Sequence, residues 1–293
     1  MITVIGSINL DLTGTVGRLP GPGETVPGDA FATAPGGKGA NQALAARRAG
    51  AEVQMIGAVG DDAFAEEALA LLREDSVQLA AVRQSRAATG IALILVSSDG
   101  ENMIAVIAGA NDTVLPGDVE AVVIDPGDVV LLQQEIPLET VEAALNAARE
   151  AGAMSILNTA PWRDDWARLI PLADIIVANE TEFDLAAAAL GLAGSTCEEK
   201  AAAFVAKTGR TIVVTLGGDG AVAAAPDGTA RAEAPKITPV DTVGAGDTFC
   251  GYLAAGLAEG MDITAAMARA AKAGAAACLK PGAQPAIPRL DEL

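Results

Sequence analysis

The chain has no histidine among its 293 residues. A general base must therefore be an aspartate, glutamate, lysine, tyrosine or cysteine, and Ser-His-Asp chemistry is excluded. Cysteine is nearly as scarce. Cys197, Cys250 and Cys278 are odd in number, far apart and without a histidine partner, so neither a disulfide framework nor a zinc site is expected. They read as small buried hydrophobes, Cys250 being notable for following the strongest motif below. Aromatic residues make up 3% of a chain that is 51% hydrophobic, so the core must be built from aliphatic side chains. Lysine and arginine number 19 against 38 acidic residues, a net charge of −19. The basic footprint that nucleic acid or an anionic membrane demands is missing. No apolar run reaches the roughly 20 residues of a membrane span, and the opening MITVIGSINL has neither a basic segment nor a cleavage site. The expectation is a cytoplasmic protein. With no repeat and no low-complexity linker, residues 1–293 are read as one domain.

What the chain has is alternation. Ile2 to Ile5, Val53 to Ile56, Val129 to Leu132, Ile156 to Leu157, Ile175 to Val177 and Ile212 to Thr215 are short aliphatic runs with the character of buried strands. Stretches with helical spacing lie between most of them, such as Ala63 to Leu72 and Leu138 to Ala151. Strand and helix in turn predict an α/β fold of three layers, a mostly parallel sheet with helices on both faces. In such sheets ligands sit beyond the carboxyl ends of the strands. Two segments depart from the pattern. Ile91 to Val96 and Met103 to Ile107, joined by Ser97-Ser98-Asp99-Gly100-Glu101-Asn102, read as a hairpin, and about Asp11 to Thr33 reads as extended. Together, as about 11–33 and 91–107, they are expected to form a small antiparallel lid.

The strongest local signal is Asp241-Thr242-Val243-Gly244-Ala245-Gly246-Asp247-Thr248, followed by helical apolar spacing from Phe249 to Gly260. Small residues at 244–246 let backbone approach a ligand, and the unpaired N–H groups of a helix start face an anion. Asp247, in the first turn, stands where an incoming hydroxyl needs a base. By itself this could equally be a glycine turn with a capping aspartate. Pro35-Gly36-Gly37-Lys38-Gly39-Ala40-Asn41 opens a second helix, Gln42 to Ala49, and lacks the spacing of a Walker loop. Asn9 and Asp11 alternate after the first strand and so face one way. Glu135, with Gln133 and Gln134, follows the strand at 129–132. Asn179-Glu180-Thr181-Glu182 and Thr215-Leu216-Gly217-Gly218-Asp219-Gly220 follow two others, and Gly282-Ala283-Gln284-Pro285 lies near the C-terminus.

Taken jointly and in order, these segments resemble the PfkB carbohydrate-kinase family over essentially the whole chain. The matching motifs are Asn9 to Asp11, Gly36 to Asn41, Gly100 to Asn102 with Gly109 to Asn111, Glu135, Asn179 to Glu182, Thr215 to Gly220, Asp241 to Phe249 and Gly282 to Pro285. The resemblance implies ATP-dependent phosphorylation of a primary hydroxyl. The Gly-Glu-Asn hairpin and the GAQP segment favour a pentose acceptor, D-ribose converted to D-ribose 5-phosphate. It implies Asp247 as base, with Gly244, Ala245 and Gly246 as the anion hole. Asn9, Asp11, Gly37, Lys38, Gly39, Asn41 and Glu135 would bind the sugar. Asn179, Glu182, Thr215, Gly217, Gly218, Asp219, Gly220, Gly246 and Ala271 would line the nucleotide site, with Glu182 ordering the water shell of Mg²⁺ carried on ATP. It also implies a monovalent-cation site, usually potassium, at Asp241, Val243, Ala277, Lys280, Gly282 and Ala286, where serine is common in place of Ala286 and arginine in place of Lys280. A homodimer through the lid is implied as well. Another sugar or a nucleoside as acceptor, or a non-catalytic sugar- or nucleotide-binding regulator on the same fold, are the alternatives.

Overall fold

A computed structural model describes residues 1–293. Thirteen strands form, in chain order β1 (Ile2–Ile5), β2 (Asn9–Val16), β3 (Gly28–Gly36), β4 (Val53–Gly60), β5 (Val82–Ser85), β6 (Gly90–Ser97), β7 (Asn102–Ile107), β8 (Val129–Leu132), β9 (Met154–Asn158), β10 (Ile175–Asn179), β11 (Thr211–Thr215), β12 (Ala221–Ala225) and β13 (Gly228–Ala232). The helices are α1 (Lys38–Arg48), α2 (Ala63–Ala68), α3 (Ala70–Glu74), α4 (Pro116–Glu120), α5 (Leu138–Ala151), α6 (Glu180–Leu190), α7 (Cys197–Thr208), α8 (Ala245–Ala258) and α9 (Ile263–Ala277).

Nine strands make one sheet in the order β13-β12-β11-β10-β9-β8-β1-β4-β5, parallel from β11 through to β5, with β12 and β13 added antiparallel at one edge. Its central strands β1 and β8 are buried at every position because helices cover both faces. On one face Ile2, Val4 and Leu131 meet side chains of α1, α8 and α9; on the other Ile5, Val130 and Leu132 meet those of α5, α6 and α7. A fully buried Leu or Ile contributes about 1.5–3 kcal/mol, so this aliphatic double core holds the sheet without many aromatics. Each predicted strand of the main sheet is present. The strands β5, β12 and β13 had no strong aliphatic run to announce them, and the helix expected over 63–72 is broken at Leu69 into α2 and α3.

The lid is a second sheet, ordered β3-β2-β6-β7. Its outer pairs are antiparallel as expected, whereas its central pair, β2 with β6, is parallel. The reason is inheritance of direction: β2 continues from β1 after residues 6–8 and β6 from β5 after 86–89, and both parent strands run the same way in the main sheet. Helices α1 and α8 pack against each other at Gly251, where a Cβ would stand 2.6 Å from the Gln42 carbonyl oxygen. That close approach brings the start of α1 to the start of α8. No helix is long and apolar enough to cross a membrane.

Candidate active site

The strand ends of β1, β8, β9 and β10 deliver Ser7, Glu135, Asn158 and Asn179 to one region, into which the N-termini of α1, α6 and α8 also point. Asp247 is the third residue of α8 and only 7% exposed. Both of its carboxylate oxygens accept from amides of α1: Oδ2 from Asn41 Nδ2 at 2.9 Å and Oδ1 from Gln42 Nε2 at 3.0 Å. Lys38 lies close by. The negative charge of Asp247, then those of Glu135 and Glu182, hold its ammonium above the ordinary lysine range against the opposing cost of burial.

Gly244 caps α8 in the left-handed region at φ 76°, and a Cβ there would press on Ala283 at 3.0 Å. No backbone acceptor takes the N–H groups of Gly244, Gly246 or Asp247. The N–H of Ala245 does have one, the Thr242 carbonyl oxygen at 3.3 Å. The donors free to meet an anion are therefore those of 244, 246 and 247, aided by the positive end of the helix dipole. Nothing stands within 4 Å of a Cβ built on Gly246, so the helix is open to a ligand at that point.

Two cavities meet there. The larger, about 390 Å³, is lined by Thr215, Gly217, Gly218, Asp219, Gly220, Gly246 and Ala271, residues that the family resemblance assigns to the nucleotide. Its apolar walls, Pro235, Ile237, Pro239 and Phe249, were not foreseen. The smaller, about 230 Å³, is lined by Lys38, Asn179, Glu182, Gly244 and Asp247, with Asn158 added by the structure. Thr215, Thr242 and Gly246 border both, so a ligand with a flat apolar end and an anionic tail can span them. Asn179 caps α6 and Glu182 completes its capping box, which fixes that carboxylate at the cavity wall; burial raises its pKa, partly offset by the Asn179 N–H and Lys38.

On the other side of Asp247 lie the remaining polar groups. Glu135 accepts from Ser7 Oγ at 2.6 Å and from the Lys38 N–H at 3.2 Å. Asp11 is half-buried, and desolvation, reinforced by the charges of Glu135 and Asp247, pushes its pKa up to about 6. Asn9 is buried and its Oδ1 accepts from Asn111 Nδ2 at 2.7 Å, while Asn111 Oδ1 accepts from the Ile8 N–H at 2.9 Å. Gly37 caps α1, and the Gly39 N–H is occupied by Ser7 Oγ at 3.3 Å. Asn41 Oδ1 is a buried acceptor with no partner in the protein. A hydroxyl donor from a ligand would satisfy it.

The positions expected to hold a monovalent cation fall on two neighbouring loops. Asp241 stitches them together, its Oδ1 accepting from the Val243 N–H at 3.0 Å and its Oδ2 from the Gly282 N–H at 2.8 Å. The Ala277 carbonyl oxygen receives the Lys280 N–H at 3.5 Å, and Ala286 is buried with only a methyl group to offer. No cluster of three or more Cys, Asp and Glu side chains forms a cage for a metal ion.

A buried carboxylate at a helix start, free N–H groups beside it, and a nucleotide-sized cavity leading up to it are the parts of a phosphoryl-transfer enzyme on an α/β sheet. The comparisons agree. Residues 1–290 match the description pfkB family carbohydrate kinase, and the chain belongs to that family. It is 39% identical to a ribokinase of Lactococcus lactis over 295 residues, covering 100% of this chain and 95% of the relative. Its fold superposes on the ribokinase of Thermotoga maritima with a TM-score of 0.89 at 28% identity, covering 99% of this chain and 97% of that one. A ribokinase of Arabidopsis thaliana, solved with ribose and ATP, gives 0.86 at 30% identity over 99% and 96%.

Proposed function

We propose that the chain transfers the γ-phosphoryl group of ATP to the primary hydroxyl of D-ribose, giving D-ribose 5-phosphate and ADP. The observation that carries this reading is Asp247, buried at the start of α8 where the nucleotide cavities meet the polar pocket. The ribose and ATP of the Arabidopsis structure support it. The sugar lies among Asn9, Asp11, Gly37, Lys38, Gly39, Asn41 and Glu135, a mixture of donors and acceptors that suits hydroxyls. Asp247 takes the hydroxyl proton as the sugar oxygen bonds to the γ-phosphorus and the bond from that phosphorus to ADP breaks. The N–H groups of Gly244 and Gly246, with Lys38, face the charge that spreads over the transferring group. ATP lies along Thr215, Gly217–Gly220 and Ala271, its phosphates passing Asn179 and Glu182. The lid keeps out water, which would otherwise compete as acceptor.

Asp11, Glu135, Glu182 and Asp247 outnumber the single ammonium of Lys38, so a triphosphate needs its own counter-ion here. Mg²⁺ carried on ATP would supply it by neutralising phosphate charge, and Glu182 is the carboxylate placed to order its water shell. The loops at 241–243 and 277–286 fit a monovalent cation, potassium. A carboxylate has about four lone-pair sites, so Asp241 keeps capacity beyond its two N–H partners, and the carbonyl groups of Val243, Ala277, Lys280 and Gly282 lie on the same loops. At Ala286 a carbonyl or a water replaces the missing hydroxyl. Such a cation would stiffen the turn that presents Gly244 and add positive field to it. The protein is also proposed to pair as a homodimer through its lid, where β7 is exposed at every position.

Incubating the protein with ATP and a panel of pentoses, hexoses and nucleosides tests the acceptor. D-ribose is expected to give the highest kcat/KM. Preference for a nucleoside or a hexose would reassign the acceptor, and the absence of any phosphorylated product would favour the regulator.

A further inference from the structure

Behind Asp247 runs a chain of buried side-chain amides that no sequence motif announces. Asn158 Nδ2 donates to the Val177 carbonyl oxygen at 3.1 Å, and that backbone group can only accept. Asn158 must therefore turn its Oδ1 the other way, toward Gln42 Nε2 at 3.2 Å. Gln42 is then obliged to present its NH₂ group to Asn158 and to Asp247 Oδ1, and its own Oε1 accepts from Gln133 Nε2 at 2.7 Å. Gln42 and Gln133 are both fully buried. A backbone carbonyl of β10 thus fixes, through two amides, which atom of Gln42 faces the carboxylate.

We propose that Gln42, oriented by Asn158 and Gln133, is a positioning residue that aims the Asp247 carboxylate at the acceptor hydroxyl. This rests on Asp247 being the base. Gln42 Nε2 donates to Asp247 Oδ1 at 3.0 Å while Asn41 Nδ2 donates to Oδ2 at 2.9 Å, so the two amides fix the plane of the carboxylate and interact with its charge. The other titratable groups facing Asp247 are Lys38 from α1, Asp11 from β2, Glu135 after β8, Glu182 from α6 and Cys250 on α8. Lys38 alone among them is positively charged.

The test is single-turnover phosphorylation by Gln42→Met across pH 5 to 9, with Asp247→Asn measured beside it. Losing the donor is expected to slow transfer about 10- to 100-fold at neutral pH and to move the acidic limb of the rate profile up by about one unit, with the sugar KM little changed. If Gln42→Met does not fold, as judged by ADP binding, Gln133→Met leaves the Gln42 amide in place but unoriented and should move the limb the same way. A rate and limb unchanged in the folded variant, with Asp247→Asn inactive, would overturn the role of Gln42 while leaving the base in place. Activity retained in Asp247→Asn would overturn the base itself.

Discussion

At the residue scale the account turns on two carboxylates in different surroundings. Asp247 is held by two amide donors, whereas Asp11 has no such support and its pKa is pushed up to about 6 by burial and by neighbouring negative charge. The sign follows directly. The folded pKa of Asp11 lies above its ordinary 3.8, so the folded state gains from its protonation below about 4 and loses that stability as pH rises through about 6. Asp11→Asn should therefore raise the urea midpoint relative to wild type at pH 7.5 and leave it nearly unchanged at pH 4, and equal offsets at both pH values would contradict the shift. The same substitution should weaken sugar binding above pH 6, because an ionised acceptor has been lost. Asp247 was legible in the sequence because glycine turn, helix start and acid stand together. Gln42 and Asn158 were not, since lone amides in Ala-rich or aliphatic runs carry no spacing, while Gln133 near Glu135 and Asn111 closing its Gly-Ala-Asn segment were visible without their partners. For Gln42 the available signal was a pair of amides, Asn41 with Gln42, set among the small residues Gly39, Ala40 and Ala43 of α1.

At the element scale, the start of α8 makes two neighbouring glycines behave differently. Gly244 has φ 76° and Ala283 at contact, so Gly244→Ala should cost about 1 kcal/mol or more and lower Tm. Gly246 has regular helical placement and open space beyond it, so Gly246→Ala should leave Tm unchanged or slightly higher while raising the KM for ATP about tenfold, the methyl group standing where the ligand passes. Calorimetry and steady-state kinetics on the two variants check this. A Tm loss at 246 with unchanged KM would remove that helix start from the nucleotide path. The long parallel strands were readable as aliphatic runs because both of their faces are buried. The edge strands β5 and β13, and β12 beside β13, were not, being short, Ala-rich or polar, and defined by their neighbours more than by their own residues. The parallel pairing of β2 and β6 was hidden for a similar reason, since strand direction comes from topology and not from local pattern.

At the scale of the whole molecule, the lid lacks a cover. Phe31 and Met103 fall in register on one of its faces and Ile104 and Val106 on the other, all 50–71% exposed, and a four-stranded sheet left this open is expected to pair with a second copy about a two-fold axis. Light scattering should give a dimer at micromolar concentration, and Ile104→Lys should shift it toward monomer; a strict monomer with full wild-type activity would contradict the lid contact. The overall charge of −19 does not by itself oppose binding of a triphosphate, because the local field at the start of α8 is set by backbone N–H groups and Lys38. Those parts converge on one group transfer, and it can be followed directly. Phosphorus NMR of wild type and Asp247→Asn with ATP and D-ribose should show the phosphoryl group arriving on the primary hydroxyl, at a rate reduced about 10²- to 10⁴-fold in the variant while ADP binding is retained. Near wild-type transfer by Asp247→Asn, or hydrolysis of ATP by the wild type with no sugar phosphate formed, would contradict the account.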